Sequence, residues 1–465
     1  MMGVVADPSG SHATSLAATN SDPVSPTHGD PGGATRFRNQ IALIALGGLV
    51  LRLVLQRFEP LPPDAPLRGP SAGVVADEVW YTKVAHSLLQ GNGFISPVSP
   101  HPQTALHGPL TVFLLLPSTL LEPHGYTLQR ATMAVIGALA VLTLGYVGRE
   151  LGGPRVGVCA AVLAAVYPGL WFNDLVATSE SPAVLLLAVI LLLALQYRRS
   201  PSTAKLVLMG LATGLLALDR AELALLGVLL VVPAVIAVAR ASSAPLGTAV
   251  RGVLVVGVLA IGVVVPWSAY NQVRFHQTVL ISNNLGQTLV GANCPESYYG
   301  PLTGYDGRYC FLSDLLTLPK ALNEAGSDAY FRGRAITYAE DHWHRWPVVA
   351  VLRELWLWSL WKPGWTVFMS GVYLGRAQWI AWCQIVAYWM LTPFAFYGFL
   401  VARRRRIRIA SLVTMVAFTA ALGLLVVGHL RYRIPAEIAW VLLGAIAGDA
   451  LLARTSRRPP ASVAS

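Results

Sequence analysis

Charge is what this sequence has least of. Only 12% of its 465 residues are Asp, Glu, Lys or Arg, against 54% hydrophobic, where soluble domains run near 25% charged. With a mean hydropathy of +0.56, a soluble fold would have to hide uninterrupted runs such as Ser181–Gln196 in its core. Runs of this kind recur at roughly the 17–25 residues that cross a bilayer, so the chain reads as an all-α, polytopic membrane protein. Lysine is scarcer still: Lys83, Lys205, Lys320 and Lys362 are four of 34 basic residues. No basic stripe is interleaved with aromatics on a soluble stretch, which excludes a nucleic-acid partner despite the net charge of +11. Cysteine is limited to four. Cys159 and Cys383 fall inside apolar runs and read as filler, leaving Cys294 and Cys310 as a disulfide candidate if their compartment is oxidising.

What is present is apolar sequence punctuated by arginine. Residues 1–35 are rich in Ser, Thr, Pro, Gly and Asp, and are expected to form a disordered cytoplasmic tail rather than a signal peptide. About ten transmembrane helices are expected, at 40–56, 128–148, 156–172, 182–197, 204–218, 223–239, 252–267, 377–401, 409–428 and 436–453. Clustered positives lie at Arg149–Arg155, Arg198–Lys205, Arg240–Arg251 and Arg403–Arg408, and on both flanks. They alternate as cytoplasmic loops do, which puts both ends of the chain, including a tail at 454–465, in the cytoplasm of a cell membrane. His107–Leu121 carries Pro109 and Pro117, and counting it as a span would invert every later cluster; it is expected to be interfacial or re-entrant. Val348–Tyr373 is treated alike, in a region holding nine of the 13 Trp, a residue that favours the membrane boundary. Within the transmembrane domain 36–453, two outward loops remain, 57–129 and 268–376, long enough to carry ordered structure over the outer face.

The sharpest local feature is the adjacent pair Asp77-Glu78 in Ala76-Asp77-Glu78-Val79-Trp80-Tyr81-Thr82-Lys83, followed by Gly91-Asn92-Gly93. On a helix the two carboxylates point about 100° apart, so they serve different ends. An Asp within hydrogen-bond reach of an acceptor hydroxyl suits a general base; taken alone, the pair could equally cap a helix N-terminus. Arg130, Arg220, Arg431 and Arg433 all fall at expected outer ends of spans, where short connectors ought to be poor in positive charge. Local pairing of Arg220 with Asp219 or Glu222 is the plainer alternative. Asp174 and Glu180, in a short outer loop, either line a site or cap a helix, and Tyr81, Glu222 and Tyr432 complete the candidate lining. Glu78 and His107 could share a divalent metal, but two ligands are too few to define a site, and the metal requirement stays open.

These motifs in order resemble the protein mannosyltransferase and lipid A aminoarabinose transferase group of the glycosyltransferase C superfamily. Asp77-Glu78-Val79-Trp80-Tyr81 is followed by His107-Gly108-Pro109-Leu110, by Arg130 opening a span that ends Gly148-Arg149-Glu150-Leu151-Gly152, and by Leu218-Asp219-Arg220-Ala221-Glu222. Then come Val265-Pro266-Trp267, Asn283-Asn284-Leu285-Gly286 and Arg431-Tyr432-Arg433-Ile434-Pro435. The resemblance implies a membrane enzyme that moves a sugar from a polyprenyl-phosphate donor to a protein, lipid or glycan acceptor at the outer face, usually with inversion. The family's catalytic Asp falls on Asp77, with Glu78 in support. Family members often carry Arg where this chain has Trp80, and Lys-Pro-Pro near His107-Gly108-Pro109, which shifts donor phosphate binding toward Lys83, His107, Arg130, Arg220, Arg431 and Arg433. The alternative is a transporter or flippase of lipid-linked sugars, which would favour charges at the bilayer midplane and repeated halves.

Overall fold

The computed structural model describes residues 31–60, 77–97, 103–243, 245–319 and 321–455. Residues 1–30 of the tail expected over 1–35, parts of the first long loop (61–76 and 98–102) and residues 456–465 lie outside the described residues. Regular structure among the described residues is helical, with one isolated bridge between Ile95 and Gln103.

Nine of the ten expected spans fall on a single helix each, and 156–172 is broken at Tyr167. Seven are long and apolar enough to cross a membrane: Gly32–Phe58, Thr127–Gly152, Glu180–Arg199, Ala221–Ala241, Leu246–Phe275, Gln378–Arg404 and Leu430–Thr455. Pro154–Val166 and Pro168–Leu175 make an eighth if read as one span bent by 54°. The bend follows from Pro168, whose ring disfavours helical backbone at the residue before it; Tyr167 is extended, at φ −75° and ψ 117°. Thr203–Asp219 and Ala410–Leu425 are helical but only 17 and 16 residues long, about 25 Å at 1.5 Å per residue against a hydrocarbon core of about 30 Å. The first helix begins at Pro31, so residues 31–35 belong to it rather than to the tail. Proline is well tolerated in a first helical turn, where its missing N–H would be unpaired anyway.

Several consecutive helices are joined by short connectors. Gly153, at φ +91°, turns Thr127–Gly152 directly into its neighbour, a conformation open to glycine at little cost. Many large apolar side chains face outward, Leu254, Val258, Ile261 and Val265 on Leu246–Phe275 among them. Lipid is the solvent in which such a face is stable. The interior is an apolar cluster built on Ile41, Leu144, Leu187, Leu216, Leu226 and Ile438.

The two ends of the bundle differ. At one end, charged side chains pair in the interior: Arg52 with Asp174, Glu59 with Arg376, Arg130 with Glu78 and Arg220 with Glu180. At the other lie the basic clusters, with exposed contacts such as Arg199–Glu150 and Arg405–Asp449.

The two long loops cap the first end. Leu110–Leu121, Trp346–Leu357 and Pro363–Leu374 are each 12 residues long, about 18 Å, too short to cross. Glu324 sews the loops together, accepting from Thr104 Oγ1 at 2.7 Å and the Ala105 N–H at 2.6 Å. Arg274 adds bonds to the carbonyls of Phe94 and Thr104, both 3.2 Å. Cys294 and Cys310 are disulfide-bonded. Closing a loop of this size contributes about 3 kcal/mol in the chain-entropy model. Cys294→Ser is therefore expected to lower the thermal midpoint and expose the 294–310 segment to protease, with reductant doing the same to the wild type and nothing further to the variant.

Candidate active site

Asp77 opens the helix Asp77–Leu89, where a carboxylate is favoured by the helix dipole. Residues four apart lie on one face, so Asp77 and the buried Tyr81 face inward together while Glu78 turns away. Asp77 Oδ2 accepts from Arg431 Nη2 at 2.5 Å, and its Oδ1 lies 3.6 Å from His107 Nε2. Tyr81 stacks on the His107 ring with centroids 5.1 Å apart, and Trp80 meets that ring edge-on at 4.9 Å. Gly108 keeps His107 close, since a Cβ there would collide with the Leu218 carbonyl oxygen.

Glu180 is the hub. Its Oε1 accepts from Arg431 Nε at 2.8 Å and from Arg220 Nη1 at 2.7 Å, and Arg220 Nε continues to Glu222 Oε1 at 2.9 Å. The result is a row of alternating charge, Asp77–Arg431–Glu180–Arg220–Glu222, drawn from four separate stretches of chain. Arg220 is the single extended residue (φ −142°, ψ 103°) between Thr203–Asp219 and Ala221–Ala241, so its side chain leaves the tight turn toward Glu180. The Tyr432 ring lies 5.7 Å from the Arg220 guanidinium carbon. The cluster thus gathers Asp77, Tyr81, His107, Glu180, Arg220, Glu222, Arg431 and Tyr432. Arg220 pairs with Glu222, as its plainer reading had it, and with Glu180 as well.

Other candidates lie apart from the row. Glu78 forms a two-pronged pair with Arg130, at 2.8 and 2.7 Å, and accepts the Ala177 N–H at 3.0 Å. Arg130 also donates to the Glu59 and Pro60 carbonyls at 3.2 and 2.8 Å. Arg433 stands two residues from Arg431, and in the three-residue turn of Leu430–Arg433 the two side chains diverge. It meets Glu437 at 2.5 Å and Ser359 Oγ at 2.9 Å, stacks over Tyr388 at 3.8 Å, and is fully buried. Asp174 is held by Arg52 Nε at 2.7 Å. Lys83 is half-buried on the far side of its helix, with its charge acting on His86.

Two residues that sequence reasoning left out of the site emerge here. Asp219 is buried at the edge of the row: Oδ1 accepts from Thr111 Oγ1 at 2.7 Å, and Oδ2 has no hydrogen-bond partner among the described residues. Arg52 sits inside the first span, fully buried; an ionised residue within a span is costly enough to have signalled a partner.

No family model matches the chain, and no curated protein matches it. Among solved structures it is similar to the archaeal oligosaccharyltransferase AglB from Archaeoglobus fulgidus, solved with an inhibitory peptide and a dolichol-phosphate, at 15% identity and a TM-score of 0.48. That match covers 88% of this chain and 50% of AglB, so the chain spans about half the length of that archaeal protein. It is also similar to ArnT from Cupriavidus metallidurans bound to undecaprenyl phosphate, at 14% identity and a TM-score of 0.39, over 90% of this chain and 81% of ArnT.

The metal left open by the sequence finds no donor set among the described residues. Among the described residues no three His, Cys, Asp or Glu side chains converge, and Glu78, the expected partner of His107, is engaged by Arg130. Burial lowers the His107 pKa, against the opposing pull of Asp77, and burial with Asp77 beside it raises that of Tyr81. A His whose folded pKa is depressed stabilises the fold fully above its unfolded value of about 6.5, and that contribution is lost as pH falls through the folded value. Thermal midpoints should therefore drop on acidification through pH 6, and His107→Gln should drop less steeply. Equal slopes in both proteins would remove His107 as the cause.

Proposed function

We propose that the chain is a membrane glycosyltransferase that moves a sugar from a polyprenyl-phosphate carrier to an acceptor hydroxyl. The observation that carries this reading is Asp77 lying in one ion-pair row with Arg431 and Arg220. Transfer from a sugar phosphate needs a base on the attacking hydroxyl and positive charge where the leaving phosphate develops, and the row supplies both. Asp77 takes the acceptor proton as the new bond to the anomeric carbon forms. The bond from that carbon to the phosphate oxygen breaks, and the polyprenyl phosphate leaves toward Arg220 and Arg431, which can grip it bidentately. Attack opposite the leaving group inverts the anomeric centre. Glu180 holds both guanidinium groups in place before the donor arrives, and Glu78 acts as a positioning residue by fixing the start of the Asp77 helix to Arg130.

The end of the bundle with the basic clusters faces the cytoplasm by the positive-inside rule, so Asp77 and its row face the outer side beneath the two capping loops. The acceptor approaches through the loop 294–376. The test is turnover in lipid nanodiscs with a panel of labelled polyprenyl-phosphate sugars, using membrane extract as acceptor and reading sugar released from the carrier. Turnover of one donor establishes the class and names the sugar. A donor that binds but is never cleaved, whatever acceptor is supplied, favours the transporter instead.

A further inference from the structure

The end of the bundle opposite Asp77 holds cations that the proposed reaction does not use. Gln378–Arg404 runs out in Arg403 and Arg404, followed by Arg405, Arg406 and Arg408, and the last helix brings Arg454 alongside. Between these two helices lies a cavity of about 250 Å³ lined by Arg404, Arg405 and Arg454, by Tyr397, and by the apolar Val401, Ala450 and Ala453. Arg405 is matched by Asp449 at 2.6 Å. Arg404 makes no ion pair among the described residues, and the Arg454 guanidinium carbon lies 5.6 Å from the centre of the Tyr397 ring. The Tyr397 hydroxyl is buried there with no hydrogen-bond partner among the described residues.

A topology signal explains part of this, since positive charge at a helix end orients a span and suits the helix dipole. It requires neither a cavity, nor arginines from two helices lining it, nor a buried phenol with its donor unused. Unpaired buried donors are costly enough that each calls for a partner. Two guanidinium forks and one phenolic O–H around a partly apolar cavity match a phosphate ester, with oxygens on the cations and hydrocarbon on Val401 and the alanines. The sequence neighbours of its lining, Leu400, Leu451 and Leu452, are exposed apolar side chains on the same two helices, which favours a phosphate carried on a lipid over one in solution. Basic pockets between spans on the cytoplasmic side hold anionic headgroups in this way.

We propose that this cavity is a binding site for the phosphate of an anionic phospholipid headgroup. Arg404 and Arg454 take its oxygens, Tyr397 donates to it, and the lipid pins the last span against Gln378–Arg404. The assignment does not depend on the transferase reading, and its test needs no turnover.

The experiment uses the full chain, purified in detergent and stripped of lipid. Native mass spectrometry and thermal unfolding follow the return of dioleoyl phosphatidylglycerol, with dioleoyl phosphatidylcholine and inorganic phosphate as comparison probes. Phosphatidylglycerol is expected to bind at least tenfold more tightly than phosphatidylcholine and to raise the midpoint. The double variant Arg404→Gln/Arg454→Gln should lose that preference. Tyr397→Phe, which removes one oxygen and leaves the fold, should weaken it several-fold. Arg155→Gln/Arg251→Gln removes the same charge at the same end and should leave the preference intact. Equal loss in this control would overturn the site in favour of diffuse surface charge. So would wild-type protein that does not distinguish the two lipids, or a Tyr397→Phe protein indistinguishable from wild type. Inorganic phosphate that reproduces the full shift without lipid would overturn the lipid assignment.

Discussion

Asp77→Asn is expected to lower sugar transfer by about 10²- to 10⁴-fold, the usual span for removal of a general base, while donor binding changes only a few-fold. The substitution keeps the side chain's shape and an oxygen to accept from Arg431, which remains tied to Glu180 at 2.8 Å. Arg431 is thus not released into a nonpolar surrounding, and the fold should persist. The readout is single-turnover release of labelled sugar in nanodiscs, alongside an equilibrium measurement of donor binding and a thermal midpoint. Turnover within about tenfold of wild type would remove Asp77 as the base, since that is less than such catalysis ordinarily supplies. A parallel collapse of donor binding would place Asp77 in holding Arg431 rather than in proton transfer.

The largest expected effect on stability belongs to Arg130. Its removal as Arg130→Gln strands the Glu78 carboxylate, whose side chain is only 7% exposed, with the Ala177 N–H as its remaining partner. An uncompensated charge in such a place costs about 3–5 kcal/mol, a large part of the margin of an ordinary domain. Little folded Arg130→Gln protein should survive extraction, and the double variant Glu78→Gln/Arg130→Gln should recover much of the loss, since it removes the stranded charge. If Arg130→Gln instead folded normally and weakened donor binding, Arg130 would rejoin Arg220 and Arg431 as a phosphate ligand. The comparison separates two roles that one sequence signal, an arginine at the end of a span, expresses identically.

That ambiguity shows where reading the chain in one dimension ends. Arg130, Arg220, Arg431 and Arg433 all stand out as cations where cations are scarce, and nothing in their spacing tells them apart. Their partners are remote: Arg130 meets Glu78 across 52 residues, and Arg431 meets Asp77 across 354. Arg433 is the exception, because its partner Glu437 stands only four residues on, on the same helical face. Asp174 belongs to Arg52 across 122 residues, and Arg52 was legible only as an unexplained charge inside an apolar run. Asp219 was visible as a neighbour of Arg220, but its burial beside Thr111 depends on how two distant helices cross.

Composition and pattern alone determined the membrane character and where along the chain the apolar helices lie. Those follow from hydrocarbon thickness and from the need of every backbone amide to find a partner within its own helix. The divergence of Asp77 and Glu78 by about 100° followed as well, from 3.6 residues per turn. Tertiary structure decided which charges meet. It joined Asp77, Glu180, Arg220 and Arg431 into one row, sent Glu78, Arg130, Asp174 and Arg433 into separate braces, and closed Cys294 on Cys310. An ion pair is a matter of a few ångströms in three dimensions, and the chain passes between its two members along a path that local sequence does not record.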